Sequence, residues 1–462
     1  MVTRLDNVHL IGVGGAGMSG IAKVLLARGA HVSGSDLKDS RTLAALRALG
    51  ADITVGHVEQ AVEGAEVVVV SSAIREDNPE LAEARRRGLT VLPRASALAA
   101  LMVGSRGIAV AGTHGKTTTT SMVTVMLQHC GADPSFAVGG DVNEAGSNAH
   151  QGSGDLFVAE ADESDGSFLL LAPHVAVVTN VEADHLDHYA DEAAVAEAFV
   201  AFVDRVDAEG QVVACADDPG SRRVAAVAHA SGRATRTYGE SADADVRVTD
   251  LVLEQSGGLS FEVVADGRRL GRQVLRVPGR HNALNAAAAL TVGLGLGFGP
   301  VELREGLEGF TGVRRRMELK GTVGGVRVID SYAHHHTELA ADLAAARQVA
   351  AGGRLVVAFQ PHRYTRTAAF ARRMGVALSA ADEVVVMEVY AAGEDPLPGV
   401  TGATVAEAID LPVGSVLFEP SWGKVPAALV SRARPGDLVL TFGAGDVTQI
   451  GPVVLSLLAE RG

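Results

Sequence analysis

The chain has 462 residues, of which 47% are hydrophobic and 21% charged, and its net charge is −15 at pH 7. That length exceeds one ordinary domain and predicts roughly two to four. The composition is that of a globular protein, and the acidic balance excludes a nucleic-acid binder that works through a basic surface.

Met1 to Asn7 carries Arg4 and Asp6 rather than the apolar core of a secretion signal, so a cytoplasmic protein is expected. Cys130 and Cys215 form neither a disulfide framework nor a metal-ligand spacing and read as small core residues of a reducing compartment. The uncharged run from Asn282 to Val301 is Ala-rich and then Gly-rich. Its Leu and Ile are too sparse for a membrane span, and it reads as a buried helix with its exit turn.

In chain order, the first strands are predicted at Val8–Val13, His31–Ser33, Ile53–Val55, Val67–Val70 and Thr90–Leu92, with helical patterns between them. That βαβ rhythm belongs to a parallel, Rossmann-like sheet. The run Gly12-Val13-Gly14-Gly15-Ala16-Gly17 follows the first strand and precedes a helix, and Asp36 lies nineteen residues after Gly17. Alone this is a dinucleotide fingerprint and suggests an NAD-dependent oxidoreductase. The same backbone geometry receives any diphosphate at a helix start, including that of a UDP-sugar.

A second βα series follows, with strands at Ile108–Ala111, Leu156–Ala159, Val175–Thr179 and Val212–Cys215, and a polar antiparallel addition around Ser241 to Gly271. Its first strand runs into Ala111-Gly112-Thr113-His114-Gly115-Lys116-Thr117-Thr118. A strand that delivers glycines, a lysine and a hydroxyl to a helix start suits a nucleoside triphosphate. Backbone N–H groups face phosphate oxygens, Lys116 reaches the terminal phosphates, and Thr117 sits on a magnesium ion. The general P-loop spacing would place a glycine at 110, where this chain has Val110, so the loop is a shorter variant.

This shortened loop resembles that of the Mur ligases, ATP-dependent amide-forming enzymes of peptidoglycan precursor synthesis. Further resemblance lies in Gly14-Gly15-Ala16-Gly17-Met18-Ser19-Gly20 and in Val68–Ile74 with Ser71 and Ser72. With Asp36, these imply a UDP-sugar site. Val158–Asp165 and Thr179–Asp187 also match the family. That match implies that Thr117, Glu160 and His185 hold Mg²⁺, with Mn²⁺ as a substitute. Four acids in six residues, Glu160, Asp162, Glu163 and Asp165, would repel one another without a nearby cation. Histidine is an unusual magnesium ligand, so His185 rests on the resemblance. Several sister ligases use a carbamoylated lysine here; this chain has none between Lys116 and Lys320, which favours the alanine-adding branch. Pro278–Asn285 resembles the adenine-holding segment, with Asn282 and Asn285 offering amide groups to a base edge.

Gly309–Val313 reads as a linker, and a third series has strands at Arg327–Ile329, Leu355–Phe359, Val384–Met387 and Leu438–Phe442. The predicted architecture is therefore three α/β domains. They are a Rossmann-like UDP-sugar domain over 1–104, a P-loop ATPase-type domain over 105–312, and a Rossmann-like closing domain over 313–462. Asp330–Glu338 and Phe359–Thr367 follow strands and are rich in His, Tyr and Arg, whose planar forks suit carboxylates and phosphates. The second loop and Val389–Glu394 look like those of the alanine-adding branch. Carried over, Tyr332, His334, Arg363 and Arg366 line the muramoyl and amino-acid site, Arg316 approaches the ATP phosphates and Asp330 its ribose. Lys116, His334 and Arg363 are the catalytic set. The family pattern D-D-Y-x-H-H-P-T-E is broken twice, by Ser331 for Asp and by His336 for Pro. Loss of the proline is expected to loosen the loop and change how His334 and His335 point.

The resemblance implies a ligase that joins L-alanine to the lactyl carboxylate of UDP-N-acetylmuramate through an acyl phosphate, with ATP as co-substrate. It works as a monomer or homodimer whose domains close on the substrates. The competing readings are a ligase that adds a pre-made tripeptide to the same UDP-sugar in cell-wall recycling, the NAD-dependent oxidoreductase, and a non-catalytic nucleotide-binding protein.

Overall fold

The computed structural model describes residues 4–71, 73–186, 188–254 and 257–461. Two compact units emerge. One comprises residues 1–249, 262–273 and 284–310; the other comprises 250–261, 274–283 and 311–462.

The first unit opens with five parallel strands, β1 (Asn7–Ile11), β2 (His31–Asp36), β3 (Asp52–Val55), β4 (Val67–Val70) and β5 (Thr90–Pro93), in the order β3-β2-β1-β4-β5. Strand β1 stops two residues earlier than its apolar run suggests. Gly12 adopts φ +81°, and the N–H groups of Gly12 and Val13 both turn to donate to Ser35 O at 2.9 Å. Alternation places Val8 and Leu10 against the helix Ala16–Ala27 on one face, and Ile11 with Val68 against Leu81 and Ala84 on the other.

That second face also buries a polar network. His9 lies 2.9 Å from Ser33 Oγ and 3.2 Å from Glu80 Oε2, and the Val58 N–H donates to Glu80 Oε1 at 3.1 Å. Ser35 donates to the same carboxylate. Burial by itself would raise Glu80, but the hydrogen bonds from His9, Ser35 and Val58 hold it below the ordinary carboxylate range.

The same unit carries most of a ten-stranded sheet. Its strands are β6 (Arg106–Ala111), β7 (Ser135–Val142), β8 (Ser147–His150), β9 (Leu156–Glu160), β10 (Val175–Val178), β11 (Gln211–Cys215), β12 (Ala234–Gly239), β13 (Val246–Leu253), β14 (Leu259–Ala265) and β15 (Arg268–Leu275). They run β15-β14-β13-β12-β11-β10-β6-β9-β7-β8. Strand β6 lies between β9 and β10, parallel to both, so three carboxyl ends meet where ligands bind in such sheets. The stretch expected as an antiparallel addition supplies β13 to β15, and β13 joins β12 in parallel.

Strands β7 and β8 went unpredicted because the apolar run of β7 is only Phe136-Ala137-Val138, cut short by two glycines, and β8 has none. Strand β8 is fixed by the helix Ala16–Ala27, and β7 pairs with β8: Lys23 Nζ donates to Asn148 Oδ1 at 2.6 Å and Ser147 Oγ at 3.0 Å, and Asn148 Nδ2 donates to Ala16 O at 2.6 Å. Gly20 permits this approach, since a Cβ there would already touch Ala149.

The second unit holds a six-stranded sheet of β16 (Glu318–Val323), β17 (Val326–Ser331), β18 (Leu355–Phe359), β19 (Glu383–Val386), β20 (Val416–Phe418) and β21 (Leu438–Phe442), in the order β16-β17-β21-β18-β19-β20. Only the β16–β17 pair is antiparallel. The Ala-rich helix Arg280–Gly295 buries Ala286 to Ala289 and Leu290. Among the described residues no helix is long and apolar enough to cross a membrane.

Glu80→Ala should destabilise the chain by about 3 kcal/mol or more, because His9, Ser35, the Val58 N–H and His57, 3.4 Å from Glu80 Oε1, lose a buried charged partner. Denaturant unfolding measures this, and a loss below about 1 kcal/mol would show that the network contributes little.

Candidate functional site

The lysine loop leaves β6 through two glycines held at positive φ. Gly112 (φ +137°) presses against Thr179, so that a Cβ would run into its hydroxyl; Gly115 (φ +81°) would place one 2.8 Å from Asn285 Oδ1. The segment after β10 clamps the loop. Thr179 Oγ1 donates to His114 O at 2.6 Å, the His114 N–H donates to Asn180 Oδ1 at 2.7 Å, and the Glu182 N–H donates to Thr113 Oγ1 at 2.9 Å. The helix Lys116–His129 starts here, with Thr117 and Thr118 in its buried first turn and Thr119 Oγ1 donating to Asn285 Oδ1 at 3.1 Å.

Lys116 folds back over this loop. Its ammonium donates to Gly112 O at 2.7 Å and to Glu163 Oε1 at 3.0 Å. Glu160, at the end of β9, accepts from Thr117 Oγ1 at 3.0 Å and from the Gly139 N–H at 2.6 Å. His185, held at φ +52°, brings Nε2 to 3.7 Å from Glu163 Oε1 and 3.6 Å from Asp184 Oδ2. Asp162 pairs with Arg94 at 3.1 Å. Thus the structure gathers Lys116, Thr117, Glu160 and His185 around one acidic pocket, along with Glu163 and Arg94, whose parts sequence spacing did not reveal.

The charges in this pocket do not balance. Burial, with the neighbouring Asp162, raises Glu163 to about 7 despite the adjacent Lys116. Burial pulls Lys116 down, yet Glu163, Asp162 and Glu160 carry it above its ordinary value. Only the Lys116 shift is caused by the surrounding acids; that of Glu163 is caused first by burial. An oxygen-rich pocket with unbalanced carboxylates fits a hard divalent cation, and the donors Thr117 and Glu160 fit magnesium in particular.

The first glycine cluster ends β1 beside Ser71: a Cβ on Gly12 would lie 3.5 Å from Ser71 Cβ. Asp36 accepts from the Gly14 N–H at 2.9 Å and so fastens the loop. Gly15 caps the helix Ala16–Ala27 without a side-chain bond, and a Cβ on Gly17 would lie 3.1 Å from Arg94 Nη1. Met18 and Ser19, expected to face a UDP-sugar, are buried instead: Met18 packs in the core and Ser19 lies 3.2 Å from Asn148 Nδ2. Ser72 lies outside the described residues.

In the second unit, β17 ends in the His-rich loop. Asp330, expected at a ribose, is wholly buried. It accepts from Thr441 and Thr448 hydroxyls at 2.6 Å each and lies 3.4 Å from Arg315 Nε, so it ties β17 to β21 rather than facing solvent. Tyr332 carries the guanidinium of Arg316 5.3 Å over its ring, and Arg316 pairs with Glu338 at 3.6 Å. His334 Nδ1 lies 2.9 Å from Tyr332 O. At His336, where the family pattern has proline, capping and ring contacts hold the loop. His335 caps the helix His336–Ala350 in a box with Glu338, and the His336 ring stacks 5.4 Å from Phe370.

Arg363 adopts φ +66° before the helix Tyr364–Leu378, and its N–H donates to Tyr390 O at 2.9 Å. Strain of this kind persists where the surroundings over-determine it. Arg366 is buried, with Nη1 3.1 Å from His362 Nδ1; the His362 ring lies 5.4 Å from that of His334. In the helix Arg280–Gly295, Asn282 donates to Pro278 O at 2.6 Å.

Three family descriptions cover nearly all of this. "Mur ligase family, catalytic domain" matches residues 7–106, "Mur ligase middle domain" matches 110–293, and "Mur ligase, glutamate ligase domain" matches 315–445. The chain belongs to the Mur ligase family. Among its Mur ligase relatives, the UDP-N-acetylmuramate–L-alanine ligase of Acidothermus cellulolyticus is 61% identical across 99% of this chain and 96% of its own. That of Saccharopolyspora erythraea is 57% identical across 98% and 93%. The solved UDP-N-acetylmuramate–alanine ligase of Thermotoga maritima superposes with a TM-score of 0.83 at 28% identity, covering 99% of this chain and all of its own.

The raised Glu163 has a consequence for stability. Because its folded value, about 7, exceeds the unfolded 4.5, its stabilising contribution is full below about pH 4.5 and is lost as pH rises through 7. Melting of the ligand-free protein between pH 5 and 8 should therefore be flatter in Glu163→Gln than in wild type. Parallel profiles would remove Glu163 from this balance.

Proposed function

We propose that the chain is an ATP-dependent ligase that forms the amide between L-alanine and the lactyl carboxylate of UDP-N-acetylmuramate in peptidoglycan precursor synthesis. The observation that carries this reading is the cluster of Lys116, Thr117, Glu160, Glu163 and His185 at the meeting of β6, β9 and β10. It occurs in a chain with whole-length identity above one half to alanine-adding ligases. We take residues 1–104, 105–312 and 313–462 as the UDP-sugar, ATP and closing domains, and the cytoplasm, where ATP is available, as its place.

A carboxylate is a poor acyl donor because its oxygen leaves badly, and phosphorylation by ATP makes that oxygen a leaving group. The helix start behind Gly112–Gly115 and the Lys116 ammonium would neutralise charge on the transferring phosphoryl group. Lys116 must then exchange Glu163 for phosphate, and Glu163, already raised, accepts that loss by taking a proton. Magnesium, held by Thr117, Glu160 and His185, would supply further charge neutralisation. The alanine amine attacks the acyl phosphate and phosphate departs. Arg363, Arg366, Tyr332 and His334 would hold the muramoyl and alanine carboxylates, Arg316 the phosphates, and Asn282 and Asn285 the adenine. Gly14 to Gly17 with Ser71 would receive the UDP diphosphate.

ADP release is the test, with ATP, Mg²⁺ and UDP-N-acetylmuramate present and either L-alanine or the tripeptide added. Release that requires L-alanine is expected; release only with the tripeptide would move the chain to the recycling reaction. Lys116→Ala should reduce turnover by at least about 10³-fold, and unchanged turnover would overturn its role.

A further inference from the structure

Beneath the clamp on the lysine loop lies a second layer, at the end of β11. Val181 is buried three residues past the end of β10, beyond the strand ladder, and its N–H turns away from the loop to donate to Asp218 Oδ1 at 3.0 Å. The same oxygen accepts the Ser221 N–H at 2.7 Å and so caps the helix Pro219–Ala230. Ser221, fully buried, accepts the Cys215 N–H and donates to Val178 O, both at 2.9 Å, which joins the last residues of β11 and β10. Gly220 lets the helix start press against the same peptide, since a Cβ there would lie 2.5 Å from Val181 O. The neighbouring Asp217 faces the other way and accepts the N–H groups of Glu240 at 2.7 Å and Ser241 at 2.8 Å, past the end of β12.

We propose that Asp218 is a positioning residue for the ATP phosphates: by gripping Val181 it fixes the segment that holds the lysine loop. The inference rests on the ATP-dependent reading of that loop.

The segment Thr179–Glu182 runs between two supports. On one side the Thr179 N–H donates to Ala111 O at 3.0 Å, Asn180 O accepts the Thr113 N–H at 3.1 Å, and the Asn180 side chain accepts the His114 N–H. On the other side Asp218 holds Val181. Adjacent peptides therefore carry the position of the helix Pro219–Ala230 to the loop, and Asp218 acts through Val181 rather than on the nucleotide. With that grip released, Asn180 and the loop keep their bonds to each other and shift together. A misplacement of about 1 Å is enough to cost up to about 10²-fold where groups must meet a ligand in register.

The test separates the helix cap from the grip. Aspartate, asparagine and serine cap helices about equally well. Asp218→Asn keeps an oxygen at the place of Oδ1 and can hold both N–H groups. In Asp218→Ser the hydroxyl is one bond shorter and caps the helix without reaching Val181. Gly220→Ala leaves Asp218 in place and pushes Val181 O aside. Calorimetric Kd values for MgATP and, separately, for UDP-N-acetylmuramate are taken in the full-length protein alongside melting temperatures. Asp218→Ser and Gly220→Ala should weaken MgATP about tenfold, the scale of one lost hydrogen bond. Both should leave UDP-N-acetylmuramate within about twofold of wild type, and Asp218→Asn should keep both ligands within about threefold. Asp217→Ala, which releases β12 instead, should melt lower yet bind MgATP within about twofold of wild type. Equal MgATP binding in Asp218→Ser and Asp218→Asn, an unchanged Kd in folded Gly220→Ala, or an equal weakening in Asp217→Ala would overturn the proposal. A wild type that binds MgATP without alanine-dependent turnover would sink the ligase assignment while these Kd values still judge Asp218; one that does not bind MgATP would sink both.

Discussion

The close approach of two backbones at the end of β6 is the constraint on which the first unit depends. Gly112 lies so near Thr179 that no side chain fits; Thr179 and Asn180 hold the loop by its own peptide groups, and Glu182 holds it through the Thr113 hydroxyl. A loop fixed through backbone groups on both sides cannot collapse when phosphate is absent. Its helix start is therefore preorganised rather than assembled on binding, whereas the Lys116 side chain has to leave Glu163 for phosphate. Because β9 and β10 flank β6, Glu160 and the Thr179–His185 segment are delivered to the same place without any long-range search by flexible side chains.

Charge follows from this placement. A chain with a net charge of −15 meets a triphosphate only where cations are concentrated. In the first unit the cationic groups at the pocket are Lys116 and Arg94, each already paired to an acid. That pairing neutralises part of the acid cluster, and Glu163 can take a proton when the lysine turns to phosphate. The two upward shifts have different causes: burial raises Glu163, whereas Lys116 is raised by the carboxylates of Glu163, Asp162 and Glu160 around it. A pocket of that sign favours a ligand that arrives with its own divalent cation over a bare anion.

The sequence made legible what local pattern controls. Apolar runs marked β1, β4, β6, β9, β10, β18 and β21, and glycine–lysine spacing marked the phosphate loop. Features set by distant partners escaped. Strands β7 and β8 depend on Lys23 and on Asn148 reaching a helix more than a hundred residues away. Asp330 reads as a strand-end acid, yet Thr441 and Thr448 enclose it. Met18 and Ser19 read as part of a ligand loop, but the helical turn carries them inward. Glu163 stood among four acids, and what distinguishes it from Asp165, burial against Lys116 and His185, is visible only in the fold.

The His335-His336 pair shows how a broken motif can keep its geometry. Proline at the first position of a helix supplies a preset φ and gives up an N–H that has no helical partner there. His336 occupies that position and cannot preset φ. The constraint comes instead from both sides. His335 accepts the Thr337 N–H while Glu338 takes the N–H groups of His334 and His335, and the His336 ring lies against Phe370 of the next helix. Entropy that proline would have removed from the unfolded chain is offset by capping and ring contact in the folded one. What the loop presents, the His334 ring beside His362 with Nδ1 on Tyr332 O, is therefore governed by Glu338 and Phe370 as much as by the residue at 336.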